Sequence, residues 1–276
     1  MKNIIKRGIN SNMLKTIAII AMVIDHIGFY FSTLLPNSVY TIFRGIGRIA
    51  MPIFVYLLVQ GFFHTKDFKK YIYRIGGLAF VTQLLLTILM FVNIKCVPDY
   101  IAAKQAYTTG NILFTFVISL GIMKILHEDV LVRKWDYNKN ISLKIITVIT
   151  IIIISSLLPI DYNMEVPCLS IFLYYIERFK IQLYLEKVKG TNNIKNMFLN
   201  TTSESKLMTV YVLLILLAFV ILIIYFGTQW QVLFAIIPIA LYNGERGRTN
   251  LKYLYYIFFP LHESLLYLLA MIVTLT

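Results

Sequence analysis

Apolar runs long enough to approach the thickness of a bilayer recur along almost the whole of this chain, and they leave little room for any other architecture. A spanning helix needs about 20 apolar residues, fewer if it is short or re-entrant. Runs of this kind fall at residues 14–35, 47–63, 71–93, 111–127, 142–160, 166–184, 207–227, 229–243 and 251–275. The composition agrees, with 59% hydrophobic and 14% charged residues among 276 and a mean hydropathy of +0.75. A soluble domain carries charge on about a quarter of its residues. The expectation is an all-α, polytopic membrane helix bundle with about nine transmembrane segments, forming one domain over residues 1–276. The sixth run is interrupted by Pro167, Glu177 and Arg178, and the eighth is short with Pro238 inside it.

The basic residues predict an orientation, because short cytoplasmic loops carry excess Lys and Arg. With nine spans, 22 of the 26 Lys and Arg residues fall on the N-terminal side of the membrane. Only Arg44, Arg48, Lys95 and Lys104 fall on the other. The N-terminus is therefore expected in the cytoplasm. A net charge of +13 would suggest a nucleic-acid partner in a soluble protein. Here the loops and anionic headgroups absorb it, so the expected partner is the lipid bilayer and not nucleic acid. Cys96 and Cys168 lack metal-binding spacing and read as two buried free thiols, with one disulfide the alternative if both lie outside the cell. The start of the chain superficially resembles a signal peptide, but its apolar run is too long and contains Asp-His. It reads as a retained first helix. Residues 185–206 form the longest polar stretch and read as a cytoplasmic linker.

The run LKTIAIIAMVIDHIGFYFSTLL carries Asp25 and His26 in its middle. An Asp at the centre of a span costs about 3 kcal/mol on insertion scales, so such residues face a bundle interior or a wet cavity and are functional candidates. Successive helical positions differ by about 100°, so Asp25 and His26 cannot share one narrow face. His26 is placed to act as a general base near neutral pH. Arg44 and Arg48 precede and open the second span; they read either as snorkelling side chains or, for Arg48, as a partner for Asp25 or an anionic group. Gln60, His64, Lys66 and Arg74 gather where that span ends, as a positive-inside loop or a basic mouth for phosphates. Asn111 is helix glue or a site amide, and Asp161 sits in an outer loop as a lip for an acceptor. His262 lies at mid-depth in the last run beside Glu263 and can meet His26 within a bundle. No HxxH or HExxH spacing supports a metal, and none is expected.

The stretches LKTIAIIAMVIDHIGFYF, GRIAMPIFVYLLVQGFFHTKDFKKYIYR, GNILFTF, LPIDYN, ALYNGERG and KYLYYIFFPLH run nearly end to end. In order and spacing they resemble the TraX family of bacterial inner-membrane proteins. That family is named for a conjugation protein implicated in acetylating the N-terminus of pilin. The first-span Asp-His followed by an RxxxPxF-like segment is more distantly similar to membrane acyltransferases, which pass acetyl from cytosolic acetyl-CoA to an acceptor on the far side. The resemblance implies a multi-pass protein of a bacterial cell membrane that transfers acetyl to a surface acceptor such as a pilin-like N-terminus or a glycan. It implies His26 as the catalytic histidine, Asp25 as its orienting or electrostatic aid, and Arg48 as the holder of an anionic group. The mouth from Gln60 to Arg74 would take the phosphates of acetyl-CoA, and His262 would line the same cavity. At Glu263 the chain departs from the pattern, where an apolar residue is expected. Two other readings stand beside this one: a small proton-coupled transporter using Asp25 and His262 as a relay, and a scaffold of a conjugation or surface-assembly system. The sequence leaves room for a homo-oligomer.

Overall fold

The computed structural model describes residues 8–96, 109–189, 204–227, 230–247 and 252–275. Lys95 and Cys96 have described backbone only, and Lys104 and most of the 185–206 linker lie outside the described residues. Apart from two isolated bridges, Ile9–Tyr242 and Gly110–Ile160, the described residues form helices and the turns between them. Among the described residues, five stretches are long and apolar enough to cross a membrane: Ser11–Tyr30, Asn37–His64, Phe68–Leu89, Tyr137–Leu157 and Leu254–Val273. Three further apolar helical stretches, Ile112–His127, Val210–Tyr225 and Trp230–Ala240, are shorter. The sequence alone leads to about nine segments, and the difference lies in these shorter pieces and in the more polar sixth run.

Helix α1 (Ser11–Tyr30) starts where Asn10 caps it, its side-chain oxygen accepting from the Asn12 and Met13 amides at 3.0 and 3.1 Å. It ends earlier than its apolar run: residues 31–35 turn, and α2 (Asn37–Gly47) packs back against α1. After Arg48 and Ile49 the chain continues as α3 (Ala50–His64), the most completely buried helix, with Ile53, Val55, Tyr56, Leu58, Val59 and Phe62 in the core. Arg44 therefore lies in the last turn of α2, and Arg48 at the junction of α2 and α3.

Helix α4 (Phe68–Cys96) packs against α5 (Ile112–His127), which in turn contacts α6 (Tyr137–Leu157). A polar latch joins α4 to α5. Asn111 caps α5 by accepting from Leu113 N, while its amide nitrogen donates to Ala79 O at 2.9 Å and to Gln83 Oε1 at 3.1 Å. Helix α6 turns Ile145, Ile146, Ile149, Ile153, Ile154 and Leu157 outward, as a lipid-facing helix must. The sixth run forms one unbroken helix, α7 (Glu165–Lys189). Pro167 falls in its first turn, where the missing N–H would have no helical acceptor anyway. Glu177, 4% exposed, accepts from Tyr211 and Lys180 at 2.7 and 3.2 Å, which removes the cost of burying an unpaired charge.

Helix α8 (Glu204–Phe226) leads to a 3-10 turn (Trp230–Ala235) and the short α9 (Ile236–Ala240). The following segment, YNGERG, folds onto the start of α1. Ile9 N donates to Leu241 O, Asn243 N to Ile9 O and Ser11 N to Glu245 O, at 2.7–2.9 Å. Gly244 and Gly247 sit at φ of 79° and 87°, a region that side chains disfavour, and a Cβ at Gly247 would also press on Asn10 and Asn12. Helix α10 (Lys252–Leu275) closes the bundle against α1 and α4.

Candidate functional site

Helix α1 presents Asp25 and His26 to two different neighbours, as their angular separation requires. Asp25 faces α2 and pairs with Arg44, Nη1 to Oδ2 at 2.8 Å, with the two side chains 16% and 18% exposed. Arg44 Nη1 also reaches the Asp25 carbonyl at 3.4 Å, and its guanidinium lies 5.5 Å from the Phe29 ring centre. The helices approach so closely that a Cβ on Gly47 would overlap the Asp25 side chain, and one on Gly28 would lie 3.0 Å from Phe43 Cβ. The second carboxylate oxygen, Oδ1, is buried with no hydrogen-bond partner.

His26 faces α10. Its Nδ1 lies 3.1 Å from Nε2 of His262, with the ring planes 5° apart. His262, 6% exposed, bonds through Nδ1 to the Phe258 carbonyl at 2.9 Å, stacks on the Phe258 ring at 5.0 Å and meets the edge of Phe259 at 5.7 Å. The histidines thus meet between α1 and α10, which also touch through Tyr255 with Asn12 and Thr16 and through Tyr30 with Tyr267. His262 bonds His26, and Asp25 bonds Arg44, so the Asp25–His262 relay of the transporter reading is not joined directly.

Arg48 donates from Nη1 to the Tyr162 hydroxyl at 2.7 Å rather than forming the ion pair with Asp25. Tyr162 has a φ of 53°, a strained conformation for a residue with a side chain, costing about 1–3 kcal/mol unless its surroundings fix it. Arg48 and the pairing of Gly110 with Pro159 and Asp161 supply that fixation. Thr115 adds to it by donating to the Asp161 carbonyl at 3.0 Å. Asp161 keeps solvent contact, yet the protein packed around it pushes its carboxyl up to about 6; Arg44 opposes that rise and Glu165 adds to it. Glu263, whose position beside His262 broke the expected pattern, is within electrostatic reach of Asp161.

On the other side of the histidine pair is a cavity of about 470 Å³ between α1, α3, α4 and α10. Lys15, His64, Arg74 and Arg246 line it, with Tyr255 beside them. Along α1 its wall runs through Lys15, Ile19 and Met22, about 10 Å of helix. Along α10 it runs from Tyr255 to Phe258 and Phe259, the residues that hold His262. It thus ends one helical turn short of both histidines. Gln60, 6% exposed, lines this cavity, and its amide nitrogen is buried without a partner.

Of the residues marked by sequence, the structure brings His26 to His262, Asp25 to Arg44, and Gln60, His64 and Arg74 to one cavity. Lys66 lies apart from that cavity in a neighbouring groove of about 560 Å³, formed with Thr65, Asp67, Lys70, Tyr73 and Arg74. Asn111 is 5% exposed and occupied by its latch to α4. Sequence reasoning passed over Lys15 and Arg246 as site residues, and the like charges are close enough to act on each other. The two glycines of YNGERG were the available signal, since they let that segment fold back beside α1. Among the described residues, no three His, Cys, Asp or Glu side chains converge to hold a metal ion.

The chain is similar to two curated proteins over part of its length. The chain is 34% identical over 111 residues to a probable fimbrial assembly protein FimC, serogroup H1, of Dichelobacter nodosus, covering 39% of this chain and 42% of that one. It is 45% identical over 64 residues to the uncharacterized protein RP591 of Rickettsia prowazekii (strain Madrid E), covering 23% and 24%. The matches thus span less than half the length of these curated relatives, and no solved structure matches the chain. The family described as TraX protein matches residues 10–270, from the Asn10 cap of α1 to within α10, so both histidines, the Asp25–Arg44 pair and the cavity lie inside the match and the chain belongs to the TraX family.

Proposed function

We propose that this protein is a bacterial cell-membrane acetyltransferase that moves acetyl from cytosolic acetyl-CoA to an acceptor on the outer side. The one observation that carries the reading is the cavity. It has a basic mouth, walls of aromatic and aliphatic side chains, and an inner end one turn from a paired histidine. Its volume falls within the range of about 300–1,000 Å³ for small-molecule sites. Lys15, Arg74 and Arg246 suit the phosphates of the donor, and the apolar shaft suits its pantetheine arm. Gln60 tests the fit: its orphaned amide nitrogen needs an acceptor, and an amide carbonyl of that arm supplies one. The positive-inside bias supports a cytoplasmic position for this mouth and the N-terminus.

In this reading His26 takes the proton from the acceptor's hydroxyl or amine as that group attacks the thioester carbonyl. The carbon–sulfur bond breaks, and His26 returns the proton to the departing thiolate. The Asp161–Tyr162 loop and Arg48 lie at the acceptor side. The relative named as a fimbrial assembly protein makes a pilin-like protein a natural first acceptor to try, with surface glycans beside it.

The test uses the full chain in lipid nanodiscs with radiolabelled acetyl-CoA, a pilin-like N-terminal peptide and surface glycans. The expected result is saturable donor binding and label transfer, with His26→Ala keeping binding and losing transfer by at least about 100-fold. Wild-type protein that neither binds, hydrolyses nor transfers the donor overturns the proposal.

A further inference from the structure

The histidine pair fixes more than proximity. Four contacts hold His262: the Phe258 carbonyl at Nδ1, His26 at Nε2, the Phe258 ring on one face and the edge of Phe259. A carbonyl oxygen can only accept, so Nδ1 of His262 carries the proton of that 2.9 Å bond. A neutral imidazole with its proton on Nδ1 offers a lone pair at Nε2. The proton of the 3.1 Å bond between the rings must then belong to Nδ1 of His26. His26 in turn has its lone pair at Nε2, and among the described residues no hydrogen bond engages that atom.

We infer that His262 is a positioning residue that fixes the tautomer of His26, so that His26 presents Nε2 as its one basic nitrogen. Asp25, the neighbour expected to orient His26, does not perform this task because Arg44 engages it. The chain of contacts runs from a main-chain carbonyl through His262 to His26. It works as an orienting carboxylate does for other catalytic histidines, with a neutral acceptor in its place. When Nε2 receives a proton, Nδ1–H of the resulting imidazolium still points at the His262 lone pair, so no group has to rotate. The identity of the reaction rests on the acetyltransferase reading; the position of the proton rests on hydrogen-bond geometry alone.

The two can be tested apart. Full-length protein carrying 15N-labelled histidine in nanodiscs has four histidines, His26, His64, His127 and His262. Their ring nitrogens can be assigned by replacing one at a time. His26 is expected to show a protonated Nδ1 and a bare Nε2. In His262→Phe the acceptor is gone, and His26 is expected to exchange between tautomers. In His262→Gln the amide oxygen can accept from Nδ1–H and restore the single tautomer. Acetyl transfer is expected to fall about 100-fold in His262→Phe and to return to within about tenfold of wild type in His262→Gln. A wild-type His26 with its proton on Nε2 overturns the inference, as does an unchanged His26 spectrum in folded His262→Phe. If His262→Phe does not fold, the wild-type spectrum and His262→Gln decide the matter. A bare Nε2 in a protein that transfers no acetyl supports the positioning role and overturns the acetyltransferase reading.

Discussion

Replacing Arg44 by Met keeps the aliphatic stem and removes the guanidinium from beside Asp25. The pair is at 2.8 Å with 16% and 18% of the side chains exposed, so both charges are largely out of water. With charge centres about 4 Å apart and an effective dielectric near 20, their attraction is about 4 kcal/mol. Removing one partner of a buried pair commonly costs about 3–5 kcal/mol, because the survivor stays desolvated. Asp25 already has one carboxylate oxygen without a partner, so Arg44→Met would leave both stranded. We expect about 3 kcal/mol, a little over 100-fold in the unfolding equilibrium. Asp25→Ala alone should cost a similar amount. The double variant should cost clearly less than the sum, giving a coupling of about 2 kcal/mol or more. Equilibrium unfolding by steric trapping in bilayers, or by SDS titration in mixed micelles, measures this cycle. The same cycle with Arg48→Met should show less than half that coupling, because Arg48 holds Tyr162 instead. A coupling of Asp25 to Arg48 equal to or above that to Arg44 would refute the assignment.

Other expectations are simpler to check. Gln60→Leu should leave the protein as stable or more stable, by up to about 1 kcal/mol, since it removes a buried unsatisfied donor. It should also weaken acetyl-CoA binding by about tenfold, seen by titration of the labelled donor, and tighter binding would rule out the hydrogen bond to the donor. Gly47→Ala places a methyl group in the volume of the Asp25 side chain and should cost about 1–3 kcal/mol or more in the same unfolding assay. A neutral result would show that α1 and α2 are less tightly packed. Asp161 holds its proton to about 6, above its ordinary value, so folding is favoured at low pH and that contribution is lost as pH rises from about 4 to 6. Solvent access reduces its size. In Asp161→Asn this segment of the stability–pH curve should flatten, and an unchanged slope would assign it to other groups.

The apolar runs made the helices legible because burial in lipid and the 1.5 Å rise demand long uninterrupted stretches. Asp25, His26 and His262 stood out because such groups are costly in those stretches. The roles of the two arginines were not legible. The apolar run hid the turn at 31–35, and only that turn sends α2 back along α1 with Arg44 opposite Asp25. Four residues separate the arginines, so periodicity could not choose between them; the close approach at Gly47 did. Arg246 was obscured because its importance depends on a backbone fold-back held by Ile9 and two glycines at positive φ; the glycines signal a turn, but not which distant segment the turn meets. The partner of His26 was equally remote.

That remoteness has a consequence for how the protein comes into being. Nδ1 of His26 and Nε2 of His262 are 236 positions apart in the chain, and Ile9 waits almost as long for Tyr242. Helices enter a membrane in order of synthesis, so His26 is lodged there while more than two hundred residues have yet to be made. Throughout that interval no His262 is present to settle its proton. A chain that stops before α10 would have its early helices in place and still lack the His262 contact that, on the inference above, settles the proton of His26.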